Sequence, residues 1–175
     1  LRVRQRTALR AEVAALYRRY FPHQRGVLVV LAGPSGVGKG TIVSWITGHF
    51  PEFVVSVSAT TRPQRPGEKD GEHYYFVSAT RFEELVRADE LLEWALVHGS
   101  HYYGTPRAPV DELLDQGKNV ILEIDVQGAK QVKRHMKNSL SVFIAPPSFS
   151  DLEDRLVRRG TEDERERRRR LTTAK

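Results

Sequence analysis

An apolar run followed at once by a glycine-rich turn constrains the fold of this chain more than any other feature. Residues 26–32 read Gly-Val-Leu-Val-Val-Leu-Ala, the pattern of a strand buried in a parallel sheet. The turn that follows ends in Lys39, and a helix is predicted from Gly40 toward Gly48. This order of strand, glycine turn, lysine and helix is typical of a polyphosphate-binding site. The glycines let backbone N–H groups point inward, and the helix N-terminus adds the positive end of its dipole.

The turn departs from the usual phosphate-binding pattern at one position. That pattern has Ser or Thr directly after the lysine, whereas here Gly40 follows Lys39 and Thr41 comes one residue later. The hydroxyl that meets Mg²⁺ or a phosphate is therefore expected from Ser35 or Thr41. An ordinary glycine-rich turn between a strand and a helix is the alternative, and the flanking strand and helix favour the phosphate site over it.

Composition limits the classes of protein to which the chain can belong. Its 175 residues, 39% of them hydrophobic, suit one α/β unit with an inserted lobe. The absence of cysteine excludes disulfides and thiolate metal sites. The apolar runs are far shorter than the roughly 20 residues of a membrane helix, and no secretory signal is visible, so we expect a cytoplasmic protein with no membrane partner. The net charge of +6 suits partners that carry phosphate.

The pattern along the chain predicts a parallel sheet interrupted by a β-rich insert. A basic amphipathic helix, Thr7–Tyr20, is expected within an N-terminal extension, residues 1–25. Strands are predicted at 26–32, 53–58, 74–77, 91–98, 102–104, 120–125 and 141–145. Helices are predicted from a capping box of Thr80 and Glu83, from Pro106 to Gln116, from Gln127 to His135, and after a cap at Ser148 or Ser150. We therefore expect an α/β fold, a parallel sheet with helices on both faces, and an insert at 59–105.

Two carboxylates end the strand predicted at 120–125. Glu123 and Asp125 should lie at the same sheet edge as the glycine turn, and alternation along the strand would place both on one face. Carboxylates there can hold Mg²⁺ or its waters beside phosphates. The alternative is a pair of acids that merely ends a strand.

Charged residues of the insert are the next candidates. Arg62 and Arg65 lie in a turn that two prolines stiffen, where their guanidinium groups can bind a phosphate in bidentate fashion. The hydroxyls of Tyr74 and Tyr103 are further candidate donors. The alternative is a solvent-exposed charged turn, which spacing alone favours. Glu93 is either a surface acid on a strand or a pocket carboxylate that accepts two N–H groups from the edge of a base.

Arginines crowd the end of the chain, from Arg155 onward. Arginines on a closing segment can neutralise the charge of a triphosphate in the transition state. A solvated basic helix is the alternative for most of them.

Several longer strings resemble the guanylate kinase family, nucleoside monophosphate kinases with a P-loop NTPase fold. The resemblance covers about residues 26–175. It is carried by Ser-Val-Ser-Ala-Thr-Thr-Arg-Pro at 56–63, Arg-Pro-Gly-Glu at 65–68, Gly-Glu-His-Tyr at 71–74, Leu-Glu-Trp-Ala at 92–95, Tyr-Tyr-Gly-Thr at 102–105 and Ile-Asp-Val-Gln-Gly at 124–128.

The resemblance implies a role for each matching position. The ATP-binding set would be Gly33, Pro34, Ser35, Gly36, Val37, Gly38, Lys39, Gly40 and Thr41. The GMP-binding set would be Ser58, Arg62, Arg65, Glu68, Tyr74, Glu93, Tyr103, Gly104, Thr105, Glu123 and Asp125. The catalytic groups would be Lys39, Arg155, Arg159 and Arg170, and Thr41 and Asp125 are candidates to contact Mg²⁺.

The resemblance also implies an activity and a division of the chain. The activity would be Mg²⁺-dependent transfer of the ATP γ-phosphoryl group to GMP or dGMP, giving ADP and GDP, in purine nucleotide metabolism. The P-loop core would comprise residues 26–58 and 106–154, the GMP-binding lobe 59–105 and a lid 155–175, and the given sequence would stop before the family's last strand and helix. A monomer or homodimer with no obligatory nucleic acid is expected. A peptide-binding scaffold that has lost catalysis and a kinase with another acceptor remain alternatives.

Overall fold

A computed structural model of the chain describes residues 25–97 and 99–159. The helix predicted at Thr7–Tyr20 and the arginine-rich residues 160–175 lie outside these ranges. Within the described residues, no helix is long and apolar enough to cross a membrane.

A parallel sheet of four strands forms the body of the fold. The strands are β1 (Leu28–Ala32), β2 (Phe53–Val55), β7 (Asn119–Ile124) and β8 (Leu140–Phe143), in the spatial order β2-β7-β1-β8. Ala32 pairs with Ile124 on one side and with Phe143 on the other. The loops that follow β1, β7 and β8 therefore leave the sheet at one edge, where the glycine turn was predicted to meet the strand-ending acids.

Helices cover both faces of this sheet, as predicted. They are α1 (Lys39–His49), α3 (Arg107–Asp115), α4 (Val126–His135) and α5 (Phe149–Arg159). Successive residues of β1 and β7 point to opposite faces of the sheet, so each strand contributes side chains to two hydrophobic cores. One core holds Leu28, Val30, Val120 and Leu122 of the sheet with Val110 and Leu114 of α3 and Val132 of α4; the other holds Leu31 and Ile121 with Val43 of α1.

The insert forms a second sheet of mixed direction. Its strands are β3 (Ala59–Thr60), β4 (Tyr75–Phe76), β5 (Leu91–Val97) and β6 (His101–Pro106), in the order β4-β3-β6-β5, with α2 (Ala79–Arg87) packed against it. Its small core contains Phe82 and Leu85 of α2. Leu92 of β5, however, packs into the core of the parallel sheet and is fully buried there. The boundary of a separate lobe at 59–105 stays a prediction, since β5 packs on both units.

Three local predictions are wrong in detail. The strand predicted to Ser58 ends at Val55, because the chain then leaves β7 and joins the second sheet at Ala59. Helix α2 is capped by Ser78, whose Oγ accepts from Arg81 N at 3.1 Å, rather than by Thr80. Pro106 ends β6 and precedes α3 instead of being its first helical residue.

Candidate functional site

The glycine turn after β1 leads directly into the N-terminus of α1. Gly36 and Gly38 have φ angles of 83° and 105°, which favour glycine, and Gly38 leads directly into α1. The Nζ atom of Lys39 donates to the carbonyl oxygens of Gly33 at 2.8 Å and Pro34 at 3.1 Å, so the ammonium lies over the turn. Val37 is buried with Leu152 of α5, which fixes the turn against the body. The glycine turn, the N-terminus of α1 and the Lys39 ammonium thus lie at one place, the combination that binds phosphates in proteins.

The two acids at the end of β7 have different environments. Glu123 lies beside the start of α1: a Cβ built on Gly40 would be 3.6 Å from its Oε2 atom. Asp125 is the N-cap of α4, and its Oδ1 accepts from Gly128 N at 2.8 Å. The structure therefore brings Glu123 to the glycine turn and engages one oxygen of Asp125 in the helix cap. Thr41 is exposed in the first turn of α1, near the same edge.

Arg62 is held in a dense polar and aromatic cluster in the insert. Its Nη1 and Nη2 atoms donate to the two carboxylate oxygens of Glu68 at 2.9 and 2.8 Å, and its Nε donates to the hydroxyl of Tyr103 at 3.2 Å. The guanidinium also lies 5.3 Å from the ring centroid of Tyr74. Arg65 is exposed, and its backbone N–H donates to Glu68 Oε2 at 2.7 Å. Glu68 therefore fixes the direction in which Arg62 presents its charge.

The electrostatics of this cluster follow from the same contacts. The hydrogen bond from Arg62 and the backbone N–H of Arg65 lower the pKa of Glu68 to about 2. The hydrogen bond to Glu68 raises the pKa of Arg62 above its usual range. Burial raises the pKa of Tyr74. At neutral pH the cluster thus presents an ionised pair and the neutral phenol of Tyr74, which can donate to a phosphate.

Glu93 and Thr105 form a buried polar pair between β5 and β6. The two residues are cross-strand partners, and Thr105 Oγ1 donates to Glu93 Oε1 at 2.6 Å. Glu93 is 7% exposed and Thr105 is fully buried. Burial and the neighbouring charge of Asp125 raise the pKa of Glu93 to about 7, against the opposing effect of the Thr105 hydrogen bond. Glu93 is therefore buried and is not a surface acid, and its role toward a base stays a prediction.

A family model described as "Guanylate kinase" matches residues 25–175 of this chain. The chain belongs to the guanylate kinase family. A protein of Leifsonia xyli subsp. xyli named "Guanylate kinase" is 51% identical over 168 residues, which span 95% of this chain and 66% of the relative. A protein of that name from Carboxydothermus hydrogenoformans is 54% identical over 140 residues, spanning 80% of this chain and 68% of the relative.

A solved structure of the guanylate kinase family supports the assignment of the fold. The crystal structure of guanylate kinase from Anaplasma phagocytophilum aligns with a TM-score of 0.62 and 36% identity, over 86% of this chain and 69% of that chain. This chain thus spans about two thirds of the length of several relatives. The predicted family and the P-loop-type α/β fold are both confirmed.

The structure assembles some of the predicted site residues and not others. It brings together Arg62, Glu68, Tyr74 and Tyr103, and separately Glu93 and Thr105. Gly104 is buried in the sheet, where a Cβ would lie 2.8 Å from the Glu93 carbonyl oxygen, and Ser58 accepts from Tyr75 N through its carbonyl. Arg155 and Arg159 lie on α5, and Arg170 lies outside the described residues. The roles assigned to all these residues stay predictions.

The sequence reasoning missed two groups that support the site. Thr60 is fully buried, donates to Tyr102 O at 3.0 Å and accepts from Arg62 N at 3.2 Å. Gln131 of α4 binds the backbone of Trp94. The contacts of Thr60 with Tyr102 and of Gln131 with Trp94 join residues that are far apart in the sequence. Local spacing therefore could not have indicated them.

Proposed function

We propose that this chain transfers the γ-phosphoryl group of ATP to GMP or dGMP, giving ADP and GDP. The observation that carries the proposal is the buried Glu93 carboxylate, one oxygen of which accepts from Thr105 at 2.6 Å. An ionised carboxylate can accept about four hydrogen bonds, so Glu93 retains capacity for the N1–H and N2–H donors on one edge of guanine. Membership of the guanylate kinase family and relatives at about half identity support this reading.

The glycine turn provides the donor side of the reaction. Its backbone N–H groups and the N-terminus of α1 would bind the ATP phosphates, with the Lys39 ammonium exchanging its contacts to Gly33 and Pro34 for phosphate oxygens. An ammonium so placed neutralises charge on the transferring group, and charge neutralisation and positioning dominate catalysis of this reaction class.

The Arg62 cluster provides the acceptor side. In Arg62, Nη1 donates to Glu68 and to Pro63 O, Nη2 donates to Glu68, and Nε donates to Tyr103. The acceptor phosphate would therefore be bound by the remaining N–H of Nη2 together with Arg65 and the hydroxyls of Tyr74 and Tyr103. An oxygen of the GMP phosphate would attack the γ-phosphorus in line, the bond from that phosphorus to the β–γ bridging oxygen would break, and ADP would leave.

The residues beside the turn fit a magnesium ion that takes most of its ligands from phosphates and water. The described residues contain no cluster of three or more His, Cys, Asp or Glu that could hold a metal ion by itself. Glu123, beside Gly40, and the exposed Thr41 offer oxygen ligands at the sheet edge, and Asp125 retains one oxygen outside the helix cap. A bound Mg²⁺ would neutralise phosphate charge. We further propose that the protein acts in the cytoplasm, without nucleic acid, as a monomer or homodimer.

An assay of ADP release tests the function directly. The chain is incubated with ATP and Mg²⁺ and offered GMP, AMP, UMP and CMP in turn, with the Lys39→Met variant as control. We expect turnover with GMP alone among the four. In the variant we expect GMP binding by calorimetry to be retained and turnover to fall about a hundredfold or more. GMP binding without turnover in the unaltered chain would refute the phosphoryl transfer. Absence of both would refute the acceptor assignment and favour the scaffold alternative.

A further inference from the structure

We infer that one face of α4, formed by Gly128, Gln131 and His135, positions the Glu93 carboxylate and thereby sets the selectivity of the site for the acceptor base. The inference deepens the proposed function and rests on it. The three residues recur at helical spacing, so they lie on one side of α4. We call this face the α4 stripe.

The α4 stripe completes the open edge of β5. This strand is the last in its sheet, paired on one side with β6. On its other side, Trp94 N donates to Gln131 Oε1 at 3.1 Å, and Gln131 Nε2 donates to Trp94 O at 2.9 Å. These two bonds reproduce the pairing that a neighbouring strand would supply. The glutamine therefore fixes the backbone directly after Glu93.

A second contact fixes the backbone directly before Glu93. The Nδ1 atom of His135 lies 2.9 Å from the carbonyl oxygen of Leu92, and the Nδ1–H tautomer donates to it. Leu92 and Trp94 are two residues apart and present their polar groups to the same edge, whereas Glu93 between them pairs with Thr105. The stripe thus holds both neighbours of Glu93, and the carboxylate between them is bound by Thr105.

The missing side chain of Gly128 leaves the space in which that carboxylate lies against α4. A Cβ at this position would be 2.8 Å from Glu93 Oε2 and 3.3 Å from Glu93 Cδ, closer than ordinary contacts. On the opposite side, Thr105 Oγ1 binds Oε1 at 2.6 Å. The carboxylate is therefore confined between a threonine hydroxyl and a bare helix backbone. Because hydrogen bonds weaken steeply when distance and angle change, this confinement favours a base edge with two suitably spaced N–H donors.

A matched pair of glycine substitutions tests the inference. Gly128→Ala adds a Cβ that would lie 2.8 Å from Glu93 Oε2 and 3.3 Å from Ile124 Cδ1, both of them ends of side chains. The fold should therefore survive while the Glu93 carboxylate, the closer of the two, shifts. Gly48→Ala adds the same group on α1, where nothing lies within 4 Å. We expect Gly128→Ala to raise the KM for GMP about tenfold, the effect of weakening one hydrogen bond to a charged group. The KM for ATP should not change, and Gly48→Ala should leave both values unchanged.

The choice of acceptor separates positioning from general damage to the fold. Inosine monophosphate lacks the 2-amino donor, so a displaced carboxylate should lose more affinity for GMP than for this analogue. Gln131→Ala should lower the same preference, whereas Gln116→Ala, an exposed glutamine at the end of α3, should not. An unchanged KM and preference in both stripe variants would overturn the inference.

A measurement without nucleotide distinguishes failure of this inference from failure of the proposed function. The ¹³C signal of the Glu93 carboxylate, assigned by its loss in Glu93→Gln, should move in Gly128→Ala and stay in place in Gly48→Ala at the same pH. If the unaltered chain does not phosphorylate GMP, the proposed function fails, and this signal still decides whether Gly128 positions the carboxylate. A signal that does not move in Gly128→Ala would refute the positioning itself.

Discussion

Replacing Glu93 by glutamine should stabilise this protein at neutral and alkaline pH, although it removes a residue proposed to bind substrate. Burial and the nearby Asp125 raise the pKa of Glu93 to about 7, from an ordinary value of 4.5. The folded state therefore holds this proton more tightly than the unfolded chain. The stability that follows is fully present below pH 4.5 and is lost as the pH rises through 7.

The size of the effect follows from the two pKa values. The interval between 4.5 and about 7 corresponds, at about 1.4 kcal/mol per pH unit, to a loss of about 3 kcal/mol in the free energy of unfolding. Glu93 is 7% exposed, so little of this is screened by solvent. Such a loss is large beside a typical domain stability of roughly 5–15 kcal/mol. Glutamine has no charge to bury and its amide oxygen can still accept from Thr105, so the variant should avoid most of the loss.

Urea unfolding at pH 5 and pH 8 measures this directly. We expect the free energy of unfolding of Glu93→Gln, relative to the unaltered chain, to increase by about 2–3 kcal/mol between the two pH values. Glu153→Gln, which neutralises an exposed acid on α5, is the control and should show no comparable increase. A relative stability of Glu93→Gln that does not change with pH would show that Glu93 is not a buried acid with a raised pKa.

Three further substitutions test other parts of the structure. Lys39→Met should lower kcat for phosphoryl transfer about a hundredfold or more in the ADP-release assay, because it removes one charge-neutralising donor, and circular dichroism should show the fold retained. Glu68→Gln should raise the KM for GMP more than that for ATP, because Arg62 loses the charged partner that orients it; equal increases in both would contradict this. Ser78→Ala should destabilise the fold by about 1 kcal/mol and lower the melting temperature by roughly 2–4 °C, since α2 loses its cap.

The local pattern of apolar and polar residues was sufficient to predict the strands that single stretches of sequence determine. The apolar run before the glycine turn forms β1, and the run at 120–125 forms β7 beside it. Ser148, one of the two predicted caps, accepts from Asp151 N at 3.0 Å. The N-cap of α2 was predicted wrongly because Ser78 and Thr80 are both residue types that cap helices and lie two residues apart. The extended backbone conformation of Ser78, which the sequence does not show, identifies it as the cap.

Partners distant in sequence determine the candidate site, and local pattern could not provide them. Alternation along β7 predicted that Glu123 and Asp125 act together, yet Asp125 lies past the strand, where the chain turns into α4. The sequence predicted a phosphate as the partner of Arg62. In the structure, both of its terminal nitrogens donate to Glu68. Glu93 could not be assigned to surface or pocket until Thr105 and Gly128 were placed beside it.

The same distant contacts explain how a buried acid is tolerated in this fold. An unpaired carboxylate in the interior destabilises the folded state and would be expected to move toward water. Glu93 cannot do so, because Leu92 before it is fully buried in the core of the parallel sheet and Trp94 after it is bound by Gln131. Packing energy from the body of the fold thus keeps the carboxylate in place, ready for a base that supplies the missing donors. On this reasoning, guanine binding should stabilise the fold most at the pH where Glu93 is ionised.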